Sequence, residues 1–131
     1  MNHVTVRWLR ISIAGAALLT AQNQSPVITP AGVVDAASFR RELAPGSLVS
    51  IFGTSLAAGT AQAEGFPLPT VLDGVAVELE DGAGVQQAPL LLVSPNQINA
   101  QMPYYGAGAE LSVRVRNAAG VSNTERVKLA T

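Results

Sequence analysis

The acidic residues around position 80 are the first place to look for chemistry. Glu78 and Glu80 stand two positions apart, Asp81 follows them and Asp73 precedes them. Two carboxylates facing each other across roughly 5–10 Å can hydrolyse a glycosidic bond. Carboxylates combined with backbone oxygens can hold Ca2+. On a strand, however, Glu78 and Glu80 share one face of one element. Their spacing also fits no calcium loop. The plainer expectation is a solvated face whose charges discourage edge-to-edge pairing. Glu78, Glu80 and Asp81 are the candidate metal ligands, and a carboxylate hydrolase would need Glu78.

A second set is neutral. Gln97, Asn99 and Gln101 alternate with Ile98, Ala100 and Met102, and Tyr104 and Tyr105 follow. Amides and phenols are the residue types that bind sugars, by planar hydrogen bonding and ring stacking. Gln97, Asn99, Gln101, Tyr104 and Tyr105 are therefore the candidate binding residues. The competing expectation is that the amides bond to their own loops and the tyrosines cap the fold, their hydroxyls in water.

Covalent catalysis finds little support. The chain has no cysteine and one histidine, His3. Ser47, Ser50 and Ser94 thus lack the usual activating base. Lys128 is the sole lysine and lies near a chain end, where the desolvation a basic lysine needs is seldom met. No catalytic residue, enzyme activity or cofactor is expected. The formal net charge of −1, with no basic block, argues against a nucleic-acid partner.

These side chains need a frame, and the frame begins after a leader. Arg7 and Arg10 precede an uncharged run, ISIAGAALLTA, and a polar break at Gln22. This is the layout of a helical secretory signal peptide over residues 1–21. A membrane span needs roughly 20 apolar residues, and this run is about half that. No span is expected once the signal is cleaved, and cleavage removes His3 and Trp8. Residues 22–30 read as a flexible lead and 31–131 as one domain.

Within the domain, short apolar-alternating stretches are separated by turn residues. Residues 31–39 read as a weak strand or ordered edge. SLVSIF over 47–52 is a strong strand, with Gly53 as its stop. The stretch 54–74 is irregular, rich in Gly and Pro, and long enough to suggest a functional or mobile loop. Phe66 and Leu68 are its expected anchors. In 75–80, Val75, Val77 and Leu79 point in, and Ala76, Glu78 and Glu80 point out. Residues 90–93 form a solid apolar run, read as buried on both faces. Residues 110–116 are the clearest strand, with Leu111, Val113 and Val115 inward. Asn117 to Gly120 closes a hairpin whose return ends at Val127 and Leu129. Arg114 and Arg116 are expected to pair across strands with Glu78 or Glu80. The pattern predicts an all-β fold, a single antiparallel immunoglobulin-like β-sandwich of about seven strands.

Four motifs carry a resemblance. PAGVVDAASF, LAPGSLVSIFGTSLA, LPTVLDGVAVELE and APLLLVSPNQINAQMPY resemble, in order and spacing, the uncharacterised secreted Solibacter-type C-terminal domain family of acidobacteria. The likeness covers residues 28–129. The later part is similar to an IPT/TIG-type immunoglobulin-like unit, with PGSLVSIFGTSL as its opening strand and turn. The resemblance implies a secreted sandwich module and supplies no reaction, cofactor or catalytic residue. Members usually continue into a second sandwich-like half, so only the first half of the usual unit is expected here. The turn after Glu80 is longer than the family's.

The expected role is a secreted or periplasmic, non-catalytic module with a structural or protein-interaction function at the cell envelope. Its expected partners are other envelope or secreted proteins, or a polysaccharide. The alternatives are an extracellular carbohydrate-binding module and, least favoured, a carboxylate-based hydrolase.

Overall fold

The structure, a computed structural model, describes residues 24–104 and 109–130. The leader at 1–21 and Tyr105 lie outside them. Two antiparallel five-stranded sheets pack face to face around one apolar core, so the chain is an all-β sandwich. Among the described residues there is no helix.

The first sheet runs in the order β1 (Val27–Asp35), β2 (Leu48–Thr54), β7 (Gln97–Gln101), β6 (Leu90–Val93) and β3 (Ala61–Gln62). The second runs β10 (Glu125–Lys128), β8 (Glu110–Asn117), β4 (Ala76–Glu80) and β5 (Val85–Gln87), with β9 (Gly120–Val121) also on β8. Period-two burial decides the inner faces. Ile98, Ala100 and Met102 from the first sheet meet Val77, Leu79, Leu111, Val113 and Val115 from the second.

Among the described residues the strands number ten rather than about seven. The additional ones are short pieces in segments that read as loops. β3 and β9 have two residues each, and β5 has three, all exposed. Such pieces carry no periodicity and exist because a neighbouring strand offers free backbone groups. The flexible lead is likewise corrected: β1 already starts at Val27 and ends at Asp35, before Phe39. Ile28 is fully buried, and a register shift separates it from Val33. Three further expectations change. β2 continues through Gly53 to Thr54. Ala76 is buried rather than outward, and Leu91 and Leu92 are only half-buried, beside an irregularity between Leu90 and Leu92. Phe66 is 87% exposed and anchors nothing; the buried Leu56 and Ala57 hold the 54–74 stretch instead.

One side chain ties the sheets together at the β1 edge. The Asn123 Nδ2 donates to the Ile28 carbonyl at 3.0 Å, and its Oδ1 accepts from the Ile28 N–H at 2.8 Å. The amide thereby substitutes for a strand partner. Asn123→Ala should leave the Ile28 N–H and carbonyl unpaired in a partly buried place. It is expected to lower stability by about 1–2 kcal/mol in a urea titration. An unchanged midpoint would show that water replaces both bonds.

Candidate functional site

The amide strand lies in the middle of the first sheet. Because Ile98 and Ala100 face the core, Gln97, Asn99 and Gln101 must face outward. β2 brings Leu48, Ser50 and Phe52 alongside, in the pairs Leu48–Gln101, Ser50–Asn99 and Phe52–Gln97. Asn99 Oδ1 accepts from Gln97 Nε2 at 2.9 Å and from the buried Ser50 Oγ at 3.1 Å. Gln101 Nε2 donates to the Gly46 carbonyl at 3.3 Å. One end of each amide is thus held, Gln97 and Asn99 by each other and by Ser50 of β2, and Gln101 by the loop before β2.

Exposed rings and a leucine flank this strip. Leu48 is 46% exposed, Phe39 is 63% exposed, and Tyr104 is 85% exposed. Phe39 packs on Phe52 at 6.4 Å between ring centroids. The turn carrying Phe39 is organised by Asp35, whose carboxylate accepts from the Ser38 N–H at 2.8 Å, the Ser38 Oγ at 2.9 Å and the Ala37 N–H at 3.1 Å. The Ser38 bonds, backbone first, hold the Asp35 carboxyl below its ordinary value. Tyr104 lies over Gly46, where a Cβ would come within 2.6 Å of its ring. Gly46 also has φ +75°, a conformation that favours glycine, whereas the exposed tyrosine ring could swing aside from a Cβ.

The acids occupy the outer face of the second sheet and are paired. Arg114 contacts Glu80 at 2.7 Å and Glu78 at 3.7 Å, and Arg116 contacts Glu78 at 2.8 Å. The expected cross-strand pairing is therefore present. Asp81 turns away to cap its own turn, accepting from the Ala83 N–H at 2.9 Å. Glu78, Glu80 and Asp81 do not converge as metal ligands, and no acidic cluster with that geometry occurs among the described residues.

The electrostatics also oppose acid catalysis. The Glu78 side chain is only 14% exposed, which alone raises its pKa. The hydrogen bond from Arg116 outweighs that, and the charges of Arg116 and Arg114 add to it, so the carboxyl sits below its ordinary 4.5. A general acid needs the opposite shift. A depressed pKa means the ion pair contributes stability above pH 4.5, which is lost as pH falls through the lower folded value. A carboxyl NMR titration should place Glu78 below 4.5, and Arg116→Gln should move its midpoint upward. A midpoint unmoved by that substitution would mean that Arg116 is not what holds it down.

The opposite end of the sandwich carries a feature that the acids and amides did not point to. A cleft forms where the 54–58 segment, the turn at 73–75, the β6–β7 corner and the β8–β9 turn meet. The irregular 54–74 stretch supplies one wall. Its closing dipeptide, Asp73-Gly74, is a strong hairpin-turn signal that would have located a second wall. Compared with family models and with curated proteins, the chain finds no match.

Proposed function

We propose that the protein is a secreted, non-catalytic immunoglobulin-like module of IPT/TIG type, related to the Solibacter-type domains, with a protein-interaction role at the cell envelope. One observation carries the reading: the centre of the outer face of the first sheet carries no charge. Leu48, Phe39 and Tyr104 stand out around amides that are held in place by bonds within the sheet and to the loop before it. Interface cores are depleted in charge and enriched in aromatic residues in this way. The charged face lies on the other sheet, where the arginines and glutamates satisfy each other. The leader pattern before Gln22 supports export.

The carbohydrate-binding alternative is less favoured on this strand, since Gln97, Asn99 and Gln101 already commit part of their hydrogen bonding to the sheet and the loop before it. The hydrolase alternative needs a carboxyl with a raised pKa, and Glu78 is shifted the other way. The test is site-specific photo-crosslinking in cells exporting the full chain. Probes at Leu48 and Tyr104 should capture one envelope protein, and a probe at Glu80 should not. Equal capture at all three positions, or none at any, would refute the assignment of this face.

A further inference from the structure

The cleft at the loop end of the sandwich has a volume of about 930 Å3. Small-molecule sites occupy ~300–1,000 Å3. Its polar lining includes Thr54, Asn96 and Asp73, and small residues such as Ala58 and Ala118 leave the space open. Among the described residues lining it there is no lysine or arginine. Thr54, Asp73 and Asn96 make no side-chain hydrogen bond to another described residue, so their polar atoms are not committed to one another or to the walls around them.

The walls are held in place by bonds that do not involve those three side chains. Asn117 Nδ2 donates to the carbonyls of Ser55 at 3.1 Å and Leu56 at 3.0 Å, and its Oδ1 accepts from the Ala119 N–H at 2.8 Å. One side chain thereby joins the exit of β2 to the β8–β9 turn. The Leu56 N–H donates to the Pro95 carbonyl at 2.9 Å and the Gly53 N–H to the Asn96 carbonyl at 3.1 Å, which fixes the β6–β7 corner. On the remaining side, Leu72 and Val75 exchange backbone bonds of 3.0 and 2.9 Å around Asp73 and Gly74. Their φ values of +49° and +74° are those of a tight type I′ turn. The Asp73 carboxylate is thus presented from a rigid two-residue corner.

We propose that this cleft binds a neutral sugar, a pyranose unit of a glycan. A pyranose presents neighbouring hydroxyls that donate to a carboxylate and exchange donor and acceptor roles with an amide. Its C–H edges suit alanine walls. The lining disfavours the other ligand classes. An anion would face Asp73 with no cation beside it. Calcium takes six to eight oxygen ligands, and a single carboxylate does not supply that shell. A wholly apolar ligand would cover the carboxylate without a partner. The site is separate from the outer face of the first sheet, so either assignment can fail while the other stands.

The full chain, labelled with nitrogen-15, is titrated with glucose, galactose, mannose, N-acetylglucosamine and their disaccharides while amide NMR signals are followed. At least one sugar should shift Ser55, Gly74, Asn96 and Ala118 and leave Asn99 and Gln101 in place. Asp73→Asn should weaken that binding about tenfold, the loss of one charged hydrogen bond. Ala58→Trp, at an exposed position on the rim, should abolish it with the rest of the spectrum unchanged. The proposal is overturned if no sugar shifts these signals, if the shifts persist in Ala58→Trp, or if calcium chloride alone produces them.

Discussion

Ile98→Ala should unfold the protein at markedly lower denaturant, with a loss of about 2–5 kcal/mol. Ile98 is fully buried in β7, the middle strand of the first sheet, paired with Ile51 on one side and Val93 on the other. Both neighbours are themselves fully buried. A strand held from both sides cannot shift to fill the gap, so the cavity term adds to the lost transfer energy. Typical domains have only 5–15 kcal/mol in total, so this loss is a large share. Gln101→Ala, three pairs further along and on the outer face, is the control. It removes one long bond to Gly46 and should cost less than about 1 kcal/mol. Equal effects from the two substitutions would mean that the inward and outward faces of β7 are wrongly assigned.

Gly53→Ala is the second large effect, and it acts through the backbone. A Cβ at Gly53 would collide with the Val27 carbonyl oxygen of β1 and come within 2.9 Å of Leu56 Cδ2. The collision is with main chain, which cannot rotate away as a side chain would. The start of β1 must therefore move off β2, taking with it the pairing of Ile28 to Gly53. Overpacking typically costs ~1–3 kcal/mol, and a backbone clash belongs at the upper end, about 3 kcal/mol. Thermal unfolding reads this as a drop of about 10 °C or more. Gly59→Ala, where a Cβ meets nothing within 4 Å, should leave the melting temperature nearly unchanged. A silent Gly53→Ala would show that β1 is not held against β2 at this end.

The two faces of the sandwich divide surface roles by charge. The second sheet places Glu78 opposite Arg114 in register, yet its closest ion pairs run diagonally, Arg116 to Glu78 and Arg114 to Glu80. Diagonal neighbours on a strand pair are within reach of long side chains. Partly exposed pairs contribute little net stability. Their effect is to satisfy that face locally. The first sheet has no such charges at its centre, where Leu48 is exposed and the exposed Phe39 and Tyr104 rings flank the strands.

Much of this architecture was legible in the amino-acid order. Burial in a strand has period two and depends only on which face a residue takes. The alternations Ile98–Ala100–Met102 and Leu111–Val113–Val115 therefore determine the all-β class, the inner faces and the outward amides and arginines. The absence of cysteine and the single histidine bound the chemistry by composition alone. Tertiary structure alone decided the rest. β5 is three exposed residues, Val85–Gln87, and is a strand only because β4 lends it a ladder. β1 contains Pro30 and Gly32, which blur its pattern, and Asn123, 95 positions from Ile28, secures it. The fate of the amides depended on which hydroxyls and carbonyls β2 brought alongside. The cleft depended on four connections meeting at one end. Pattern along the chain sets what each residue prefers to face, and long-range pairing sets what it finds there.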